Sequence, residues 1–317
     1  MYKTIAIYET KLQKKIINYF ISEGVISENG LLIIDAIGHK LKLMDRTIDL
    51  NFNKFSNIFN SLKNTKELKE LNLECETLVS THFTGINALF FSSFIKCKEK
   101  ILIDDGIGTP VLLLDNTLYN RLFRFQVRFV FIKISLRLLY NIKLLTVHKA
   151  TLDFSSYYSI YQFENFFSNN SYEYKYIEGV NKKYESITKG IGFIGSPMTE
   201  FGLVNEKKYK TFLSTIVNKE GPFTYFLHPD EKNTLNYQID GVNFIKTNVF
   251  IEEYFEKHGV PETLYSFSSS AALNIAAANP KLKIFNIGYE SFFRNKNMIY
   301  HQVLNELGIK KSTYTVN

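Results

Sequence analysis

Eight short runs of apolar, β-branched and aromatic residues recur along the chain, at 4–8, 31–35, 100–104, 192–195, 223–227, 242–245, 264–267 and 283–287. Each is too short to be a buried helix, and helical patterning fills the intervals between them. Strands spaced by helix-sized intervals pair in parallel, because a parallel partner is reached only by a crossover. The expected fold class is therefore α/β, with two Rossmann-like halves. Around Ser155-Ser156-Tyr157-Tyr158 and Asn169-Asn170-Ser171-Tyr172 the apolar period lapses into Ser, Tyr, Asn and charge. That lapse sets the expected boundaries: an N-terminal Rossmann-like domain over 1–154, an interdomain segment over 155–189 and a C-terminal Rossmann-like domain over 190–317.

The 317 residues, 45% hydrophobic and 22% charged, are enough for two such cores and exclude bulk disorder. Cys75 and Cys97 are too few for a disulfide framework or an all-cysteine zinc site, which fits a reducing compartment. The opening strand meets charge at Glu9 and Lys11 before a signal-peptide core could form, and no run of eighteen uncharged apolar residues would span a bilayer. The expected location is cytoplasmic. A net charge of +7 favours anionic partners, whether nucleotides, phospholipid surfaces or acidic glycans, without choosing among them.

One stretch concentrates that charge. Residues 118–143 carry six cations and no acid among many Phe and Leu residues. At 100° per residue Arg121, Arg124 and Arg128 share a helix face, the composition of an interfacial helix on anionic lipid. An internal helix whose arginines snorkel outward explains the same pattern. No nucleic-acid motif accompanies the charge, so nucleic acid is set aside as a partner.

In open α/β sheets ligands bind beyond the carboxyl ends of the strands, so the residues just after each strand carry the chemistry. After 101–103 come Asp104, Asp105 and Gly106, where one carboxylate can act as a base while the other holds the loop; a plain turn uses the same residues. After 223–227 come His228, Pro229, Asp230 and Glu231, an imidazole on a stiff loop that can meet a phosphate or cap a helix. After 264–267 come Ser268, Ser269 and Ser270 and an Ala-rich helical run. Hydroxyls and free N–H groups at a helix start make an anion site, and also an ordinary N-cap.

Taken together, an acidic pair with Gly, a His-Pro and a Ser cluster, each after a strand, resemble the motifs of the bacterial sialyltransferases that decorate lipooligosaccharide and capsule, a group like glycosyltransferase family 52. Tyr8-Glu9-Thr10-Lys11-Leu12-Gln13 resembles that family's N-terminal strand and Thr-Pro-x-Gln loop, with Lys11 where proline is common. Gly192-Phe193-Ile194-Gly195-Ser196-Pro197 is similar to the first strand and loop of its nucleotide-binding half, and Phe250-Ile251-Glu252-Glu253-Tyr254 to its acidic βα segment.

The resemblance implies a GT-B architecture, two Rossmann-like domains facing across a cleft, with CMP-sialic acid as donor substrate and transfer to a glycan hydroxyl with inversion. It implies Asp105 as catalytic base and His228 at the departing phosphate. Asp104, Gly106, Gly195, Ser196, Pro229, Glu231, Glu252, Ser268, Ser269 and Ser270 would line the donor site. No metal ligand set and no cofactor are expected. The expected partners are the nucleotide-sugar donor, a glycan acceptor that is free or lipid-linked, an anionic membrane surface on the cytoplasmic side and, left open, a second copy of the chain. Another CMP-activated nonulosonic acid, or a non-catalytic glycan- or lipid-binding module on the same fold, stays open as an alternative.

Overall fold

The computed structural model describes residues 2–8, 10–35, 40–42, 47–49, 70–81, 95–104, 106, 108–114, 154–168, 170–180, 184–232, 234, 237–267, 269–288 and 298–316. Asp105, Ser268 and the basic stretch 118–143 lie outside the described residues. The chain divides into two compact units, Met1–Val180 and Asn181–Asn317.

In the first unit, β1 (Tyr2–Tyr8) is buried over its second half and leads into helix α1 (Lys11–Ser22). The Gln13 N–H donates to the Thr10 hydroxyl and the Thr10 N–H to the Gln13 amide oxygen, a capping box that fixes where the helix starts. Gln13, Ile16, Ile17 and Phe20 recur at helical spacing and form the buried face. Strands β2 (Leu31–Asp35), β3 (Lys40–Lys42), β4 (Thr47–Asp49), β5 (Glu74–Ser80), β6 (Lys96–Ile103), β7 (Ser156–Ser159) and β8 (Glu173–Tyr176) join β1 in the order β4-β3-β2-β1-β5-β6-β7-β8. Pairing is parallel from β2 to β8, and β3 and β4 add an antiparallel edge. Two short helices, α2 (Gly108–Leu114) and α3 (Glu164–Phe167), follow β6 and β7.

The segment 155–189, expected to join two domains, instead supplies β7 and β8 to this sheet and the start of the next one. Its apolar content is aromatic and widely spaced: Tyr157, Tyr161, Phe163, Phe167 and Tyr172 are all buried, with Tyr157 edge-on to Phe167 and Tyr174. A few large rings do the work of a longer aliphatic run, and a four-residue strand shows no sustained period. The division falls at Val180 and Asn181.

The second unit holds β9 (Ile187–Ile194), α4 (Glu206–Glu220), β10 (Phe223–Phe226), β11 (Val242–Ile245), α5 (Ile251–His258), β12 (Val260–Ser266), α6 (Ser270–Ala278), β13 (Lys283–Gly288), α7 (Met298–Glu306) and β14 (Lys310–Thr315). Its sheet order is β11-β10-β9-β12-β13-β14, and every pair is parallel. Numbered from β9, that is 3-2-1-4-5-6, the doubly wound order of dinucleotide-binding sheets. α4 starts on the Asn205 side chain, which accepts from the Lys208 N–H at 2.9 Å, and buries Tyr209, Phe212, Leu213 and Ile216. Burying each of these contributes about 1.5–3 kcal/mol. They meet Phe193, Tyr225 and Phe267 in one core, where Phe193 stacks on Tyr225 with ring centroids 5.0 Å apart. Among the described residues no helix is long and apolar enough to cross a membrane.

Candidate functional site

The strand order reverses between β9 and β12, so the carboxyl ends of β9, β10 and β12 frame the place where a doubly wound sheet takes its ligand. Three expected motifs converge there. Gly195 and Ser196 follow β9, His228 and Pro229 follow β10, and Ser269 and Ser270 follow β12. The Ser196 hydroxyl donates to the Phe267 carbonyl at 3.5 Å, tying the mouths of β9 and β12. Ser269 is the N-cap of α6 in extended conformation, yet its hydroxyl makes no capping hydrogen bond, and the first turn carries no acidic residue. The first-turn N–H groups of α6 have no partner within the helix, and no acid of that turn offsets the positive end of its dipole.

The His228 loop is held from beneath. Glu231, only 2% exposed, accepts from the His228 N–H on Oε2 at 2.6 Å. Its Oε1 accepts from the Tyr225 hydroxyl at 2.6 Å and the Thr234 hydroxyl at 3.2 Å. The Tyr225 hydroxyl is also 2.7 Å from that of Tyr209 on α4. Burial pushes the Glu231 carboxyl up to about 7 despite these three donors, and the charge of Glu200 adds to the rise. Glu200, after β9, accepts from the Lys232 N–H at 2.8 Å and so holds the far end of the loop. The His228 Nδ1 accepts from the Asp230 N–H at 3.2 Å; in the neutral ring this leaves the proton on Nε2, the nitrogen available to an incoming anion.

Three residues of the second unit expected in the donor site thus have another task here. The Glu231 carboxylate points into the protein, and Gly195 is packed against it: a Cβ at Gly195 would lie 2.2 Å from Glu231 Oε2 and 2.7 Å from the Tyr225 ring. Glu252, in the first turn of α5, accepts from the Asn274 side chain of α6 at 3.2 Å, linking the two helices.

In the first unit Asp104 is fully buried. Its Oδ1 accepts from the Tyr157 hydroxyl, and its Oδ2 from the Ser159 hydroxyl at 2.8 Å and the Ile160 N–H at 2.6 Å. Burial and the Asp104 charge together hold the Tyr157 phenol far above its ordinary value. Asp104, expected to face the donor, therefore binds the ends of β6 and β7 together. Gly106 turns the chain with φ +67°, a left-handed conformation that favours glycine.

Tyr225, Tyr209, Thr234, Glu200, Tyr157 and Ser159 were not anticipated as parts of the site. The spacing of Glu231 from His228 and Thr234, three residues on either side, is the local signal by which the clamp in the second unit could have been found.

No protein-family profile matches the chain. Over 95 residues it is 33% identical to N-acetyllactosaminide alpha-2,3-sialyltransferase of Haemophilus influenzae, a segment that is 29% of this chain and 28% of that protein. This match supports the sialyltransferase resemblance carried by the motifs. Among solved structures, MnaA of S. aureus with UDP aligns with 99% of the chain and 93% of its own, at TM-score 0.52 and 7% identity. The calicheamicin glycosyltransferase CalG4 aligns with 98% of the chain and 85% of its own, at TM-score 0.51 and 9% identity. These likenesses show the fold: two Rossmann-like, parallel-sheet halves of the GT-B class.

Proposed function

We propose that the chain is a sialyltransferase that moves sialic acid from CMP-sialic acid to a galactoside hydroxyl of a bacterial surface glycan. The observation that carries this reading is the placement of His228 and the α6 N-terminus at the ends of β10 and β12, on either side of β9, in a 3-2-1-4-5-6 sheet. The sequence shared with a sialyltransferase supports the choice of sugar.

In this reading the CMP phosphate lies against the first-turn N–H groups of α6, with the hydroxyls of Ser269 and Ser270 beside it. The His228 Nε2–H donates to a phosphate oxygen. The bond from the anomeric carbon to that phosphate breaks, its electron pair leaves with CMP, and charge on the phosphate is met by the helix dipole and the imidazole. The acceptor oxygen attacks from the opposite face, which inverts the anomeric carbon, and Asp105 takes its proton. No divalent ion is required for phosphate stabilisation in this arrangement. The arginines of 121–128 would bring the enzyme to an anionic cytoplasmic membrane face and a lipid-linked acceptor.

The test is incubation of the protein with CMP-sialic acid and a panel of galactosides, with and without EDTA, following CMP release and product mass. A sialylated product formed equally in EDTA is expected. Turnover only with a different CMP-activated nonulosonic acid changes the donor, because the loops described meet the nucleotide and not the sugar's side groups. No turnover of any CMP donor returns the chain to a binding module.

A further inference from the structure

We propose that Glu231 is a positioning residue acting through His228: one carboxylate oxygen is fixed by Tyr225 and Thr234, and the other holds the His228 amide and so sets where the imidazole stands at the end of β10. The inference rests on the reading above for what His228 does, not for how it is held. Glu231 lies inside the unit and its oxygens are divided between two tasks, Oε1 toward β10 and the residues beyond the loop, Oε2 toward the backbone of His228. The Glu231 N–H donates back to the His228 carbonyl at 2.9 Å, which closes a tight turn around Pro229 and Asp230. Just past the end of the neighbouring strand β9, Gly195 leaves room for the carboxylate where any side chain would collide with it. The titratable groups around this carboxylate are Tyr225 on β10, Tyr209 on α4, Glu200 after β9 and His228 itself. A mere turn would need the backbone bond alone; here a buried carboxyl group, two hydroxyls and a glycine are all arranged about one amide.

Glu231→Gln keeps the shape but has a single acceptor oxygen. With that oxygen toward the His228 N–H, the NH2 group faces the Tyr225 and Thr234 hydroxyls and both of those bonds must reverse direction, which loosens the anchored side of the clamp. With CMP-sialic acid as donor, kcat should fall about 10- to 100-fold while KM changes less than about threefold, as for a displaced catalytic group. In a His228→Ala background the same change should cost less than about twofold, because an interaction routed through the imidazole is already gone. Thr234→Val, isosteric and lacking one donor, should lose kcat severalfold in the same way, and it decides the matter if Glu231→Gln does not fold. An independent readout is the NMR resonance of the His228 ring in ligand-free protein, which should move in both variants. Unchanged kcat, or a loss that simply multiplies with His228→Ala, overturns the proposal. If the wild type turns over no CMP donor, the functional reading fails and the ring resonance alone judges the clamp: a resonance unmoved in both variants overturns it.

Discussion

Each unit closes the end of an inner strand with a buried carboxylate gripped by a matching set of donors: a tyrosine hydroxyl, an aliphatic hydroxyl and a backbone N–H. For Asp104 these are Tyr157, Ser159 and Ile160; for Glu231 they are Tyr225, Thr234 and His228. The sets differ in reach. Asp104 draws its donors from the next strand, across a long excursion of the chain, so it staples the sheet. Glu231 draws its donors from within its own strand and loop, so it shapes one turn. The same chemistry supports architecture in one unit and the aim of a side chain in the other.

That contrast can be tested at several strengths. His228→Ala, removing the group that the second clamp presents, should lower turnover by about 10²–10⁴ in steady-state kinetics. A smaller effect would mean the clamp presents nothing that matters. Asp104→Asn should leave three converging donors facing an amide and cost about 3 kcal/mol in urea unfolding of the first unit. A loss below about 1 kcal/mol, within the range of an ordinary hydrogen bond, would erase the distinction between staple and turn.

The raised Glu231 carboxyl makes stability depend on pH. Because the folded group keeps its proton up to about 7 and the unfolded one only to its ordinary 4.5, the folded state binds more protons between these values, and stability falls as pH rises through that window. Wild type should therefore lose on the order of 3 kcal/mol relative to Glu231→Gln between pH 4.5 and 8, measured as the difference of their unfolding curves. A difference flat with pH would show a carboxylate already ionised at low pH. Gly195→Ala should cost about 2 kcal/mol by overpacking and shift the His228 ring resonance as the Glu231 variants do. Thr10→Ala should cost only about 1 kcal/mol in thermal unfolding, since a helix cap is lost and no buried charge is exposed.

All eight apolar runs are strands, because short, dense aliphatic and aromatic segments bounded by turns admit little else. β5 escaped notice because Glu74, Glu76 and Thr77 interrupt its apolar residues, although Leu78 and Val79 are fully buried. In β14, exposed Lys311 and Thr313 alternate with buried Ser312 and Tyr314, a period of two within a polar composition. At the site, the His228 and Glu231 relation could be read because it is local. The Asp104 partners could not: their meeting depends on β6 and β7 lying side by side, and no feature near Asp104 names Tyr157. Tyr225 was hidden in plain view, an apparent apolar strand residue whose hydroxyl is the useful part.

The strand orders also bear on how quickly each unit can assemble. In the first sheet Tyr2 lies opposite Cys75, and in the second Ile187 lies opposite Val260. Among the described residues no other pairing in either sheet joins positions so distant along the chain, and each falls at the reversal of strand order. Closing so long a loop draws heavily on chain entropy before any contact repays it, so these pairings set a slow, non-local step in folding. The mouth between β9 and β12 does not exist until that step is complete. A substitution that weakens this pairing should therefore delay recovery of activity after dilution from denaturant more than it lowers the final yield.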